Sequence, residues 1–201
     1  YETRKPAYKD NGDGTITDLN TGLIWQKTPD FVKRTFEDSK SYARNLKLAG
    51  YSDWRLPTIK ELFSIADFSG NVHSNTPYID TKYFDFQYPD TTQGWRIIDA
   101  QYRSSTEYKG LTMRGQQSVF GFNFADGRIK SYPKGTRGAG KQYVRCVRGN
   151  AYGQNQFVDM GDGTVKDKAT GLVWMKIDSG KKMTWKEALA FAENLKYAGH
   201  N

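Results

Sequence analysis

Residues 11–50 read NGDGTITDLNTGLIWQKTPDFVKRTFEDSKSYARNLKLAG, and residues 160–199 read MGDGTVKDKATGLVWMKIDSGKKMTWKEALAFAENLKYAG. The two stretches align without a gap, so they are two copies of one folding unit. Because the separation of the copies matches the size of a small domain, we predict a complete module at residues 1–150 and the first part of a second at residues 151–201. The segment 149–154 is the predicted linker.

Each copy of the repeat is predicted to begin with short strands and to end with an amphipathic helix. The dipeptides Asp13-Gly14 and Asp162-Gly163 are typical of tight turns, and alternating strand-like residues follow each of them. A calcium loop is the weaker interpretation, because acidic ligands are missing at the required spacing. Thr35 and Thr184 are the expected N-caps of the two helices.

The remainder of the first module is predicted to contain a second helix, a long loop and three strands. Thr58 and Glu61 form a capping box, so a short helix is expected to begin there. Residues 68–117 are rich in turns and aromatic residues, and we predict a long loop. The strands are expected at 118–124, 128–132 and 143–148. The predicted fold class is therefore α+β with short strands, two helices and long loops, followed by a partial second repeat.

Composition limits the chemistry that this chain can perform. With 201 residues and 37% hydrophobic content, the chain can form a core. It has no apolar run of the roughly 20 residues that a membrane helix needs, so we predict a soluble protein without membrane insertion. Cys146 is the only cysteine, and His73 and His200 are the only histidines. An internal disulfide is therefore excluded, and we expect neither a metal site nor a cofactor.

The net charge of +8 is concentrated in one quarter of the chain. Residues 101–150 hold ten Lys and Arg but only two Asp and Glu, whereas the rest of the chain is balanced. Such asymmetry favours an anionic partner, such as an acidic polysaccharide, a membrane surface or a nucleic acid. Nucleic acid is the weakest of these alternatives, because no helix carries a basic stripe and no nucleic-acid-binding motif is present.

The basic quarter also supplies the candidate binding residues. Seven residues form the predicted cluster. Three of them alternate along one predicted strand and so share a face, and three more follow in a glycine-rich connection that can bring them close. A tryptophan adds a flat apolar surface. These residues are Arg128, Lys130 and Tyr132, then Lys134, Arg137 and Lys141, and finally Trp95. Several cations beside aromatic rings suit a sulfated or carboxylated polymer. The alternative is that these charges only keep the edge of a sheet soluble.

The sequence contains no recognisable catalytic arrangement. His73 has no nearby nucleophile, and a surface position is expected for it. Cys146 alternates with Val144 on a predicted strand, which indicates a small buried side chain. Because Arg145 and Arg148 flank it, a reactive thiol remains the alternative.

Three pairs of segments, taken together, resemble the Lcl C-terminal domain family. The segments are Asn11-Gly12-Asp13-Gly14-Thr15 with Thr21-Gly22-Leu23-Ile24-Trp25, Trp54-Arg55-Leu56-Pro57-Thr58 with Glu61-Leu62, and Phe124-Ala125-Asp126-Gly127 with Val144-Arg145-Cys146-Val147-Arg148. Ser104-Ser105-Thr106-Glu107 also matches, whereas Arg103 stands where the family usually has Trp. That family occurs in bacterial secreted and surface proteins, including collagen-like adhesins whose terminal domain binds glycosaminoglycans. The resemblance therefore implies an extracellular or cell-surface location in a bacterium.

Two of these motifs are also similar to the formylglycine-generating enzyme superfamily. They are Arg55-Leu56-Pro57-Thr58 with Glu61, and the segment Arg145-Cys146-Val147-Arg148. This similarity implies a C-type-lectin-like fold. It does not imply the same chemistry, because those enzymes use a pair of active-site cysteines and this chain has one. Arg55 and Glu61 are accordingly expected to be structural.

Three functional hypotheses follow from the sequence. The first is a non-catalytic adhesion domain that binds an anionic glycan or another surface polymer. The second is a structural subunit in which residues 151–201 pack against another subunit through Trp185, Leu189 and Ala192, giving a homo-oligomer. The third and weakest is an oxidase of the sulfatase-modifying type that depends on Cys146.

Overall fold

The first repeat folds as three antiparallel strands followed by a helix. In a computed structural model, which describes residues 5–112, 115–135 and 140–199, strand β1 is Tyr8–Asp10, β2 is Thr15–Asp18 and β3 is Ile24–Gln26. Gly14, between β1 and β2, has a φ of +87°, which glycine adopts without strain. Helix α1 is Phe36–Asn45. The Thr35 hydroxyl caps it by accepting a hydrogen bond from a backbone N–H, as predicted.

A second sheet completes the first module. Helix α2 is Ile59–Ser64, a 3-10 turn covers Thr91–Gln93, and strands β4, β5 and β6 are Gln101–Thr112, Gln116–Asn123 and Arg128–Pro133. These three strands are antiparallel neighbours in that order. Strand β7, Val147–Arg148, pairs with β3 and joins the first sheet. The fold is mixed α+β, with mostly sheet and little helix, as the sequence predicts.

Strand β4 corrects the prediction of a long loop over residues 68–117. The strand begins at Gln101, and its first four residues are all buried, so the alternation that marks a half-buried strand is absent. Arg103 lies fully buried among them, and burial lowers its pKa to about 10. The strand predicted at 143–148 is also shorter than expected, because Tyr143 forms only an isolated bridge with Tyr102.

Two apolar clusters form the core of the first module. The larger cluster contains Trp25 from the first sheet, Tyr102 and Phe122 from the second, and Leu62 from α2. The smaller cluster packs Phe36 of α1 with side chains that include Trp54, Val119 and Cys146. Since both sheets and both helices contribute side chains, the hydrophobic effect holds residues that are distant in sequence in one module.

An ion pair between the buried carboxylate of Glu61 and the partly exposed Arg55 connects α2 to the rest of this module. The two terminal nitrogens of Arg55 each donate to one oxygen of Glu61, at 2.7 Å. The backbone N–H groups of Thr58 and Tyr152 also donate to this carboxylate, at 2.8 Å and 3.2 Å. Burial raises the pKa of Glu61, but hydrogen bonds from Arg55 and the two N–H groups outweigh it and hold the pKa below 4.5. The structural role expected for both residues matches this geometry.

The chain divides into two compact units, Tyr1–Tyr152 and Gly153–Asn201. The second unit repeats the local structure of the first, with strands β8 (Phe157–Asp159), β9 (Thr164–Asp167) and β10 (Val173–Met175) in an antiparallel sheet. Helix α3 is Trp185–Glu193, and Thr184 and Glu187 cap it with a complete capping box. The predicted hairpin and helix of this partial repeat are therefore present.

We expect Glu61→Gln to destabilise the first module by about 1–3 kcal/mol, because Arg55 and the N–H groups of Thr58 and Tyr152 would lose a buried ionised acceptor. Denaturant unfolding at pH 7 measures the loss. Because folding lowers the pKa of Glu61, its contribution is present above pH 4.5 and is lost as the pH falls through the lower folded value. The stability difference between wild type and variant should therefore shrink at low pH.

Glu107→Gln is the matched control, since Glu107 makes an exposed ion pair with Lys134. It should cost much less than Glu61→Gln, because solvent screens an exposed ion pair. Equal effects of the two substitutions would contradict the structural role of Glu61.

Candidate functional site

Strand β6 carries the first predicted binding residues at an edge of the second sheet. Arg128 lies opposite Asn123, Lys130 opposite Gly121 and Tyr132 opposite Val119. Arg128 is exposed and has no ion pair within the described part of the chain. The strand thus presents cations along one edge, as expected.

Two of the predicted cations are paired with carboxylates. Lys130 bonds to Asp126, whose side chain is buried, and Lys134 lies 2.8 Å from the exposed carboxylate of Glu107. The positive field of the cluster is therefore weaker than the residue count suggests. Arg137 lies outside the described residues.

Three predicted residues meet at a pocket beside β6. Trp95, Tyr132 and Lys141 all line this pocket, whose volume is about 240 Å³. The sequence placed them in one cluster, and the fold brings them together. The pocket also has walls that the sequence did not predict, formed by Lys33, Arg96, Ile98, Asp99, Gln101 and Gln142.

Lys33 is a cation of this pocket that sequence reasoning missed. Its ammonium nitrogen lies 3.3 Å from the centroid of the Trp95 ring and 5.1 Å from that of Tyr143, a cation–π arrangement. No carboxylate in the described residues lies within ion-pair distance of it. Burial lowers the pKa of Lys33 to about 8, although the charge of Asp99 opposes this shift. A half-buried ammonium without an ion pair is a natural partner for an anion.

Arg96 and Asp99 form an ion pair in the lining of the pocket. Arg96 donates to Asp99 from its backbone N–H at 2.8 Å and from a terminal side-chain nitrogen at 2.7 Å. Burial raises the pKa of Asp99, but these hydrogen bonds outweigh it and the net pKa is lowered. Because Arg96 neutralises Asp99, the carboxylate repels an incoming anion only weakly.

Two glutamine amides lie in the wall of the pocket with unused hydrogen-bonding capacity. Gln101 and Gln142 are 6% and 1% exposed. The side-chain oxygen of Gln101 and both polar side-chain atoms of Gln142 have no hydrogen-bond partner in the described residues. Gly121 makes room for them, since a Cβ there would lie 3.0 Å from Gln101 Nε2 and 3.1 Å from Gln142 Oε1.

Cys146 and Arg145 are not arranged for nucleophilic chemistry. Burial raises the pKa of Cys146 to about 12, which keeps the thiol protonated. Arg145 is also fully buried and donates to the backbone carbonyls of Gln26, at 2.8 Å, and of Asp85, at 2.6 Å. The structure therefore gives the reactive-thiol alternative no support. His73 is exposed, as expected.

Residues 5–112, 115–135 and 140–199 contain no group of three or more His, Cys, Asp or Glu side chains placed to hold a metal ion. Over the same ranges, no helix has the length and apolar character needed to cross a membrane.

The fold is that of an α+β module in which an ion pair between an arginine and a buried glutamate connects a short helix to the closing strand. Residues 14–148 match the Lcl C-terminal domain family, so the chain belongs to that family, and the resemblance seen in the motifs is confirmed. It is a bacterial domain family of poorly known function. No curated protein matches the chain significantly.

We predict that Cys146 resists alkylation in the native protein, because its thiol is buried and its pKa is about 12. Treatment with iodoacetamide at pH 8, followed by intact-mass measurement, should give little modification until denaturant is added. Rapid labelling of the native chain would show that the thiol is accessible and would revive the alternative of a reactive cysteine.

Proposed function

We propose that the first module is a non-catalytic adhesion domain that binds an anionic glycan or a similar surface polymer. The observation that carries this proposal is the pocket beside β6, where Trp95 and Tyr132 stand with Lys33 and Lys141. Neither lysine has an ion pair in the described residues. Aromatic surfaces and unpaired cations are the groups that bind acidic sugars.

Strand β6 extends this positive surface beyond the pocket. Arg128, at its start, is exposed and without an ion pair in the described ranges. A polymer that reached from Arg128 to Lys141 would contact several cations at once, and release of its counterions would favour association. Single weak contacts then add up through multivalency.

The proposal extends to fold and location. A C-type-lectin-like arrangement and an extracellular or cell-surface site in a bacterium fit a glycan-binding role. Support comes from the similarity of Arg55-Leu56-Pro57-Thr58 and Glu61 to the formylglycine-generating enzyme superfamily, and from membership of the Lcl C-terminal domain family.

We expect the double variant Arg128→Glu/Lys141→Glu to lose at least about tenfold in affinity for heparin, because two attractive contacts become repulsive. Binding is measured by isothermal titration calorimetry between 50 and about 200 mM salt. The plot of log affinity against log salt should become less steep, with a slope smaller in magnitude by about one for each contact removed.

The control is Lys9→Glu/Lys82→Glu, which makes the same change in net charge at two exposed lysines of the same module. It should retain most of the affinity. If both double variants bind equally well, the site beside β6 is not the binding surface. Absence of binding to any sulfated or carboxylated polysaccharide would contradict the proposed function itself.

A second candidate function is assembly through the partial repeat. Trp25 and Phe36 are 0% and 3% exposed in the first module, whereas the corresponding Trp174 and Trp185 are 54% and 79% exposed. The same face of the repeat that is covered in the first unit is therefore open in the second. An apolar face of this kind is typical of an interface, and a second subunit would bury it.

If assembly is the function, Trp185→Glu/Leu189→Glu should convert an oligomer into a monomer, because charges would enter the apolar contact. Multi-angle light scattering of the 201-residue chain measures the mass. Lys186→Glu, on the same helix, is the control and should leave the mass unchanged. A wild-type protein that is monomeric at high concentration, with an ordered second unit, would contradict this alternative.

A further inference from the structure

A second open pocket of the first module lies between the segment that follows β3 and residues 81–87, and we call it the phenylalanine groove. Its volume is about 440 Å³, within the range of about 300–1,000 Å³ that small-molecule sites occupy. Two half-buried aromatic rings and four exposed polar side chains line it, so a ligand can reach all six. These residues are Phe31 and Phe86, then Thr28, Thr81, Asp85 and Gln87. None of them lines the pocket beside β6.

Hydrogen bonds hold the two walls of the phenylalanine groove together. The Asp85 N–H donates to the carbonyl of Lys27 at 3.2 Å. The buried guanidinium of Arg145 donates to the backbone carbonyls of both of these residues. The Thr28 hydroxyl donates to the Asp85 carboxylate. Because the chain's own groups supply these contacts, the groove is preformed, and a ligand does not have to order it.

The backbone of Phe31 points to a use for its side chain in this groove. Phe31 has a φ of +55°, in the left-handed region that strains a residue with a Cβ. Its counterpart in the second repeat, Gly180, has a φ of +65°, so the repeat requires this backbone and glycine supplies it without strain. The Phe31 ring packs edge-on against Tyr143, with centroids 6.4 Å apart, and also lines the groove. A large ring thus stands where glycine fits the backbone better, as is typical of functional positions.

The charges around the phenylalanine groove favour a neutral ligand with hydroxyl groups. Asp85 forms no ion pair in the described ranges, where the Thr28 hydroxyl is its side-chain donor. Its carboxylate repels an anion and can only accept hydrogen bonds. A cation gains little, because the charge of Arg145 lies near the same carboxylate. Burial lowers the pKa of Arg145, and nearby charges that include that of Asp85 oppose this shift. Neutral hydroxyl donors are therefore the best partners for Asp85.

We infer that the phenylalanine groove binds one ring of a neutral sugar, whose hydroxyl groups donate to the Asp85 carboxylate and whose ring carbons pack against Phe31 and Phe86. A pyranose ring combines hydroxyl donors with an apolar C–H face, whereas a purely apolar ligand would leave the carboxylate desolvated without a donor. Thr81 and Gln87 offer a hydroxyl and an amide for further hydrogen bonds. The site goes beyond the anionic-glycan function, because it uses other residues and takes an uncharged ligand.

The test is a titration of the 201-residue chain with the methyl glycosides of glucose, galactose, mannose and N-acetylglucosamine, followed by proton–nitrogen correlation spectroscopy. We expect at least one glycoside to shift the backbone amides of residues 81–87 and the side-chain amide of Gln87 with a common Kd. Tetramethylammonium represents a cationic ligand. It should bind at least about tenfold more weakly than that glycoside, because it offers the Asp85 carboxylate no hydrogen-bond donor.

Two variants remove the two kinds of contact. Asp85→Asn keeps the shape of the side chain but removes the ionised acceptor, so affinity for the glycoside should fall at least about tenfold. Phe31→Gly removes the ring and introduces the residue that the second repeat has at this position, so the backbone is retained. It should weaken binding at least about threefold. Glu37→Gln is the control at an exposed carboxylate of the same module and should bind as the wild type does.

Every outcome bears on the inference. Failure of all four glycosides to bind well into the millimolar range overturns it, as does tighter binding of tetramethylammonium than of every glycoside. Unchanged binding by either Asp85→Asn or Phe31→Gly would show that the sugar lies elsewhere, with the same result. The double variant Arg128→Glu/Lys141→Glu separates this site from the proposed function, since it should lose heparin and keep the glycoside. If it loses both, the two ligands share one surface and the phenylalanine groove is not a separate site.

Discussion

The ion pair between Arg55 and the buried carboxylate of Glu61 is the constraint on which the rest of the first module depends. Four donors converge on one carboxylate that has no access to solvent: two from Arg55, one from the cap of α2 and one from Tyr152. The backbone of Arg55 also exchanges both hydrogen bonds with Val147 of β7. One acidic side chain thus connects a helix cap, the closing strand and the end of the module. Such a charge is tolerated in the interior because each oxygen is fully bonded.

The second unit shows what local interactions achieve without that connection. Its capping box at Thr184 is complete, and hydrogen bonds, first from the Gln156 N–H and also from Asn155, lower the pKa of Asp167 to about 2. Turns and caps are therefore satisfied, yet Trp174 and Trp185 remain exposed. Local hydrogen bonding determines the shape of the repeat, whereas burial of its apolar face requires residues from elsewhere.

Sequence reasoning succeeded where the signal is local. The capping pair Thr58 and Glu61 correctly predicted α2, and the strand expected at 128–132 begins at Arg128, as predicted. Sequence reasoning failed for β4. The first four residues of this strand are all buried, polar ones included, because the fold covers both faces of the strand. Sequence reasoning also missed Lys33 in the candidate site, since only tertiary packing brings that residue to Trp95. A count of charges by sequence block cannot find such a neighbour.

Ion pairing separates the cations of the candidate site by what each can give a ligand. Lys33 and Lys141 have no carboxylate to release, so any anion that they bind is a net gain in the described structure. Lys134 must leave Glu107, but that carboxylate is exposed, so solvent compensates for most of the lost pair. Lys130 is different, because its partner Asp126 is buried and would remain as an uncompensated charge. In the proposed binding function, contacts with an anion are therefore centred on Lys33 and Lys141 of the pocket, whereas Lys130 stays bound to Asp126.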